Sequence, residues 1–396
     1  MSRNTPKRKP NETIKHEPDK ALLIFGVLMA LFGIIMIFDA SVYQANQFFN
    51  DQYYFLKLQL LWVVIGLIPA FIVYYIDYKK LLKFSGLALG VGLFLLVAVL
   101  VAGNEVNGAR RWFAIGPLPI QPAEFIKPII IMYLATWLSK EDKGNKVRET
   151  TWNLFVRKMI SFFVIIGIIL LLIVKEPDLG TTIVIAITTA IMFFLSDSNS
   201  IHTIGSIGML GILGLLGAIA GALESYRLNR ITTYIHLLFK GVVDDPTNKG
   251  YQVQQILIGI GSGGLWGKGF GQSRQRFGYL VENTSFTDSI YAVFLEEFGF
   301  IGGIILVILW LAFFLKGLSI SKKIADKQGQ LLAAGLTIWL TIQALFNMAA
   351  NVGLIPLTGI PLPFLTYGGS STLVTMIGFA LLLNISRYTH EQNNAE

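Results

Sequence analysis

Residues Gly267-Lys268-Gly269-Phe270-Gly271-Gln272-Ser273-Arg274-Gln275-Arg276 combine a glycine-rich backbone with three cations. Glycine lets a chain turn tightly and approach a ligand closely. Lys268, Arg274 and Arg276 suit a phosphate or another anion. Shortly after, Ser285-Phe286-Thr287-Asp288-Ser289-Ile290-Tyr291-Ala292 brings a carboxylate to the border of an apolar run that continues through Glu296-Glu297-Phe298-Gly299-Phe300. An ionisable group at such a border is costly to bury, which makes Asp288 a functional candidate.

Three other segments carry reactive types. The first is Asn107-Gly108-Ala109-Arg110-Arg111-Trp112-Phe113, then Gly116, Pro117 and Pro119, then Gln121-Pro122-Ala123-Glu124-Phe125-Ile126-Lys127-Pro128. A spacing of three puts Glu124 and Lys127 on one helix face. Prolines at membrane depth require a loop that is buried in protein or lines a wet cavity. The second is Lys175-Glu176-Pro177-Asp178-Leu179-Gly180-Thr181-Thr182, which reads as a helical hairpin turn with Pro177 at the first helical position and acids near the positive helix end. The third follows Asn351 and runs Pro356-Leu357-Thr358-Gly359-Ile360-Pro361-Leu362-Pro363-Phe364-Leu365-Thr366-Tyr367-Gly368-Gly369-Ser370-Ser371. It is too rich in proline for a helix and too apolar for a solvent loop. It reads as a re-entrant segment leading into the last span, with Ser370 or Ser371 as helix cap.

The elements that must position these residues are membrane helices. The chain is 54% hydrophobic and only 14% charged, with mean hydropathy +0.61, against about 25% charged in soluble domains. Apolar runs of the length that spans a bilayer fall at 21–43, 56–76, 81–102, 123–139, 158–175, 179–196, 202–223, 288–315, 330–350 and 371–388. The expected fold is therefore an all-α polytopic membrane protein with about ten transmembrane helices over 21–388. A long extracytoplasmic loop, about 224–287, joins helices 7 and 8. Residues 1–20 and 389–396 read as cytoplasmic tails, the first basic and disordered by composition.

Charge agrees with this topology. The segments assigned to the inside hold six (tail), three (Lys79, Lys80, Lys83), six (Lys140 to Lys158), four (Lys316 to Lys327) and one (Arg387) basic residues, and loop 44–55 holds none. This bias puts both termini inside. It also accounts for much of the +8 net charge without nucleic acid as a partner. The absence of cysteine excludes disulfides and thiolate metal sites. His16, His202, His236 and His390 are too scattered for a histidine metal site. Gly259-Ile260-Gly261-Ser262-Gly263-Gly264 has the letters of a dinucleotide fingerprint but no soluble strand–helix unit around it.

Taken together the segments resemble the SEDS family (shape, elongation, division and sporulation) of FtsW, RodA and SpoVE. The resemblance rests on Asn107-Gly108-Ala109 with Arg111-Trp112, Gln121-Pro122-Ala123-Glu124 with Lys127, Glu176-Pro177-Asp178-Leu179-Gly180-Thr181, Gly263-Gly264-Leu265 with Gly267-Lys268-Gly269, and Pro363-Phe364 with Tyr367-Gly368-Gly369-Ser370-Ser371. Thr287, Asp288, Ile290 and Ala292 match a His-Thr-Asp-Phe-Ile-Phe-Ala type run, with Phe286 in the histidine position. Asn107-Gly108-Ala109 looks like the division branch and Gly359-Ile360-Pro361-Leu362-Pro363 like the elongation branch, the balance leaning slightly to FtsW.

The resemblance implies a peptidoglycan glycosyltransferase of the bacterial cytoplasmic (inner) membrane. Such an enzyme polymerises lipid II, an undecaprenyl-pyrophosphate-linked disaccharide-pentapeptide, and works with a class B penicillin-binding protein transpeptidase and other divisome or elongasome membrane proteins. On that reading Asp288 is the general base. Arg111, Lys127 and Lys268 bind pyrophosphate, and Glu124 holds Lys127 or Arg111. Tyr367, Ser370 and Ser371 line the substrate site, with Glu176, Asp178 and Glu296 in support. Glu296, eight residues past Asp288, is expected about 12 Å deeper near the same helix face, with Glu297 turned away. A divalent cation, Mg or Mn, would bridge Asp288 and pyrophosphate. The rival readings are a flippase or transporter of lipid-linked precursor, and a division scaffold without catalysis.

Overall fold

The structure, a computed structural model, describes residues 16–106, 109–115, 118–140, 151–196, 232–237, 250–277 and 284–389, together with residues 208, 211, 239, 241 and 243. The expected seventh span at 202–223, Asn107-Gly108 and Gly116-Pro117 lie outside the described residues, apart from those single positions.

Four helices, α1 (Lys20–Phe49), α2 (Tyr54–Tyr75), α3 (Tyr78–Lys83) and α4 (Ser85–Ala102), precede a small antiparallel sheet of β1 (Asn104–Val106), β2 (Ala109–Ile115) and β3 (Leu118–Ile120). Then come α5 (Pro122–Leu138), α6 (Thr151–Lys175), α7 (Leu179–Ser196), α8 (Tyr251–Gly263), α9 (Ile290–Lys323), α10 (Lys327–Asn351) and α11 (Gly369–Ser386). Eight of these are long and apolar enough to cross a membrane, and α5, at 17 residues, reaches the lower limit of a spanning helix. Nine of the ten expected runs are thus helices.

α10 is the central post. Leu332, Leu336, Leu340 and Ala344 are buried along it, against α5, α7, α9 and α11. α2 and α4 lie outside and show Val64, Ile68, Leu87 and Phe94 to the surroundings, the reverse of a water-soluble surface and the form lipid demands. At one end of the bundle, which holds most of the basic residues, Lys316 pairs with Asp19 at 2.7 Å and the Tyr78 hydroxyl donates to Asp326 at 2.5 Å. The sheet marks the other end.

Four features depart from the sequence reading. The proline-bearing outer segment forms the sheet, with Asn104 opposite Trp112 and Phe113 opposite Ile120, because Pro119 sits in the third strand, at the edge of the sheet, where proline is tolerated. Pro177 is not at a first helical position: α7 begins at Leu179 and Pro177 has φ 30°. Ser370 and Ser371 do not cap α11, whose N-cap is Gly368, with no side-chain bond. The 224–287 loop is not irregular throughout, since it contains α8.

The eighth expected span also differs. It runs to Lys323 and is broken at Gly299, with φ 69° and ψ −172°. The break frees backbone groups, and the loop after α8 satisfies four of them. Lys268 N and Gly269 N donate to the carbonyls of Glu296 and Glu297, each at 3.0 Å, while Phe300 N and Ile301 N donate to the carbonyls of Gly264 and Leu265 at 2.9 and 3.1 Å. Gly267, at φ 81°, lies so close that a Cβ there would strike the Glu297 carbonyl. Gly267→Ala is therefore expected to lower stability by about 1–3 kcal/mol, seen as a drop in the thermal midpoint of the detergent-solubilised protein.

Candidate functional site

Asp288 does not lie on the helix; residues 284–289 form a turn ahead of α9. Its main chain is clamped from α10. The Asp288 carbonyl accepts from Asn347 Nδ2 at 2.7 Å and Asn351 Nδ2 at 2.9 Å. Asn347 Nδ2 also donates to the Ile360 carbonyl at 2.8 Å. The re-entrant segment clamps the other side: Thr366 Oγ1 donates to the Thr287 carbonyl at 3.1 Å, and Tyr367 N to the Phe286 carbonyl at 2.8 Å. The half-buried Asp288 carboxylate takes no part in this clamp. Its Oδ1 accepts from Thr287 Oγ1 at 3.1 Å, and a Cβ at Gly359 (φ 72°) would lie 3.9 Å from its Oδ2.

The re-entrant segment reaches a second network. Lys127 Nζ pairs with Glu124 Oε1 at 2.7 Å, the two side chains only 2% and 5% exposed. Lys127 Nζ also donates to Gln343 Oε1 at 2.9 Å, which accepts from Trp339 Nε1 at 2.9 Å as well. Gln343 Nε2 then donates to the Pro361 carbonyl at 3.1 Å. Gln343, Asn347 and Asn351 recur every four residues on one face of α10. That amide row in an apolar helix was a visible signal, and the reading from sequence passed over it. Glu124 holds Lys127 and not Arg111.

Arg111, on β2, donates through Nε to the Glu176 carbonyl at 2.5 Å and through Nη2 to the Pro177 carbonyl at 2.7 Å. It thereby pins the sheet to the α6–α7 hairpin. Asp178 organises that hairpin: its carboxylate accepts from Thr181 N at 3.0 Å, Thr181 Oγ1 at 2.9 Å and Gln121 Nε2 at 2.9 Å. Ser370 Oγ accepts from Gln121 N at 2.9 Å and donates to the Pro119 carbonyl at 3.3 Å, a sheet-to-helix bridge in place of a cap. The half-buried Tyr367 ring packs edge-on to Phe55 and Phe286, and Ser371 is half-buried beside Ser370.

Glu176 is fully buried, and both its carboxyl oxygens lack a hydrogen-bond partner. Burial, reinforced by Asp178 and opposed by Arg111, pushes its pKa up to about 8. The folded protein therefore holds this proton to higher pH than the unfolded chain does. The resulting stabilisation is complete below the ordinary glutamate value of about 4.3 and is lost as pH rises towards about 8, because there the native state binds more protons than the unfolded one. Glu176→Gln, which is neutral at every pH, should flatten the fall in thermal midpoint across that window and leave the variant the more stable protein at its alkaline end.

Lys268 and Glu296 are brought together, but apart from the Asp288 turn. Lys268 Nζ meets Glu296 Oε1 at 2.5 Å, and the same carboxylate accepts from Ser262 Oγ at 3.0 Å, Ser273 Oγ at 2.7 Å and Arg274 N at 3.1 Å. The expected common face with Asp288 fails because the helix starts only at Ile290. Glu297 is buried too and accepts from Ser273 N at 3.2 Å, and Arg276 pairs with Asp39 of α1. Glu296 and Lys268 thus fasten the glycine-rich loop to α9. Among the described residues no group of three or more His, Cys, Asp or Glu could hold a metal ion. A cation at Asp288 would need oxygen ligands beyond that carboxylate.

A bundle of spanning helices, with a small sheet at one end and the Asp288 turn fixed to α10, defines a polytopic membrane protein. The chain belongs to the cell cycle protein family of FtsW, RodA and SpoVE, whose family model matches residues 19–391. It is 38% identical to stage V sporulation protein E of Bacillus subtilis (strain 168) over 379 residues, covering 95% of this chain and 99% of that one. It is 35% identical to the probable peptidoglycan glycosyltransferase FtsW of Trichlorobacter lovleyi over 372 residues, 93% of each chain. A solved structure concerned with the coordination of polymerization and crosslinking by a peptidoglycan synthase complex contains a chain that superposes with a TM-score of 0.72 at 25% identity, over 94% of this chain and 99% of that one. These similarities bear out the family resemblance read from the motifs.

Proposed function

We propose that the protein is a peptidoglycan glycosyltransferase that polymerises lipid II at the outer face of the bacterial cytoplasmic membrane. The sheet end faces outward and both termini lie inside. The observation that carries this reading is the Asp288 turn: its main chain is fixed by Asn347, Asn351 and Thr366, while its carboxylate stands at the membrane border beside Gly359. Relatives carrying the glycosyltransferase name support the same conclusion.

In the reaction the acceptor's 4-hydroxyl oxygen attacks the donor's anomeric carbon and its proton passes to Asp288. The bond from that carbon to the lipid pyrophosphate breaks, and the pyrophosphate leaves with the electron pair. Fixing the base before the substrate arrives lowers the cost of alignment. Arg111 is the cation placed to meet the leaving pyrophosphate, since Nη1 takes no part in its two carbonyl bonds. Lys127 is enclosed and Lys268 is held by Glu296, so both act by ordering their elements and by their field. Tyr367, Ser370 and Ser371 lie where the re-entrant segment joins α11 and form the wall beside the acid. A bound Mg or Mn would supply charge neutralisation between Asp288 and the pyrophosphate.

A class B penicillin-binding protein is the partner, by analogy with the synthase complex, and the cell's division or elongation machinery supplies the rest. The test is to incubate the purified chain and that partner with fluorescent lipid II and divalent cation, resolve the products on a gel, and follow lipid II flipping in liposomes in parallel. Polymer supports the proposal. Flipping without polymer replaces it with a transporter.

A further inference from the structure

The glycine-rich loop after α8 is turned inside out. Two of its polar side chains, Ser273 and Gln275, are buried, and Ser273 and Lys268 both bind Glu296, while Gln272 and Arg274 stay exposed at its far end. Its apolar side chains point away. Leu265, Trp266 and Phe270 are 62%, 79% and 50% exposed. A loop bathed in water has the opposite arrangement. Its backbone bonds to the broken ladder of α9 need no water either, as a site at bilayer depth requires.

The apolar side of the loop continues an exposed apolar face of α9. The Leu265 carbonyl accepts from Ile301 N, so Leu265 sits at the head of the exposed stripe Phe300, Ile304, Ile308 and Leu311 of α9. That stripe belongs to a spanning helix. We propose that Gly264–Gly271 is a re-entrant element of the membrane, and that Leu265, Trp266 and Phe270 contact the acyl chains of the leaflet at the sheet end. A tryptophan next to Lys268 and Arg274 suits the hydrocarbon–headgroup boundary. The loop that appeared from its glycines and cations to be a phosphate cradle is thereby a lipid contact. It also splices α9 directly above the helix turns that lead to the Asp288 turn.

Because the chain has no cysteine, single spin labels report without background. Labels at Leu265→Cys, Trp266→Cys and Phe270→Cys, in lipid nanodiscs without any partner protein, are compared with Phe94→Cys on the lipid face of α4 and Gln52→Cys in the exposed α1–α2 turn. The expected result is high collision with oxygen and low collision with a water-soluble nickel chelate, as at Phe94. Nickel accessibility at the level of Gln52 would overturn the proposal. So would low accessibility to both reagents, which would point to a protein partner or a second copy. Trp266→Phe supplies an independent readout that keeps the loop's shape. Brominated phospholipids should quench the wild-type emission by a larger fraction than that of the variant, and equal quenching counts against lipid contact.

Discussion

Asp288→Asn is expected to abolish lipid II polymerisation while leaving a folded, membrane-inserted protein. The two halves of that result come from different atoms. The bonds that fix this residue to α10 run through its main-chain carbonyl, to Asn347 and Asn351, and an amide side chain leaves them intact. Oδ1 accepts from Thr287 Oγ1, which an asparagine oxygen can also do. The amide cannot take up a proton from the acceptor hydroxyl. General-base catalysis contributes about 10²–10⁴-fold, so polymer should fall at least about a hundredfold at an unchanged thermal midpoint. Polymer at wild-type yield would move the base elsewhere. Loss of both polymer and midpoint would make Asp288 structural, and Asn347→Ala then separates the cases, because it weakens the clamp without touching the carboxylate.

The helices were legible because lipid leaves the chain few choices. An apolar run of spanning length has to be helical, and the basic residues mark one end. The separate motifs were legible as groups, since proline and glycine announce irregular backbone wherever they cluster. What periodicity could not give was the partner of each charge. Glu124 with Lys127 is a local pair at spacing three and was read correctly, whereas Arg111 with the α6–α7 hairpin and Lys268 with Glu296 are set by tertiary packing. The assumption that Asp288 belongs to a helix also misplaced Glu296, as the turn at 284–289 resets the helical phase. Asn351 drew notice only as the start of the re-entrant segment, and Gln343 and Asn347 went unnoticed because amides carry no charge, yet a buried amide in an apolar helix needs a partner. Here those partners are the carbonyls that hold the Asp288 turn and the re-entrant segment.

The largest stability effect is expected from splitting the Lys127–Glu124 pair. Both side chains are almost wholly buried, and Lys127 is also tied to Gln343. Lys127→Met leaves a carboxylate with no cation in a low-dielectric interior, which costs about 3–5 kcal/mol. Gln343 Oε1 keeps Trp339 Nε1 as its donor, so its own loss is small and the penalty arises at Glu124. The double variant Glu124→Gln/Lys127→Met removes both charges and should recover most of the thermal midpoint, because a neutral pair carries no comparable desolvation penalty. Polymerisation should not recover with it. Gln343 hands the pair's position on to the Pro361 carbonyl, and the re-entrant segment in turn bears on the Asp288 turn through Thr366 and Tyr367. A stable double variant with low polymer yield would mean that the buried charge orders the site. Full recovery of both would reduce the pair to a structural tie between α5 and α10, and would leave Arg111 as the cation that the reaction depends on.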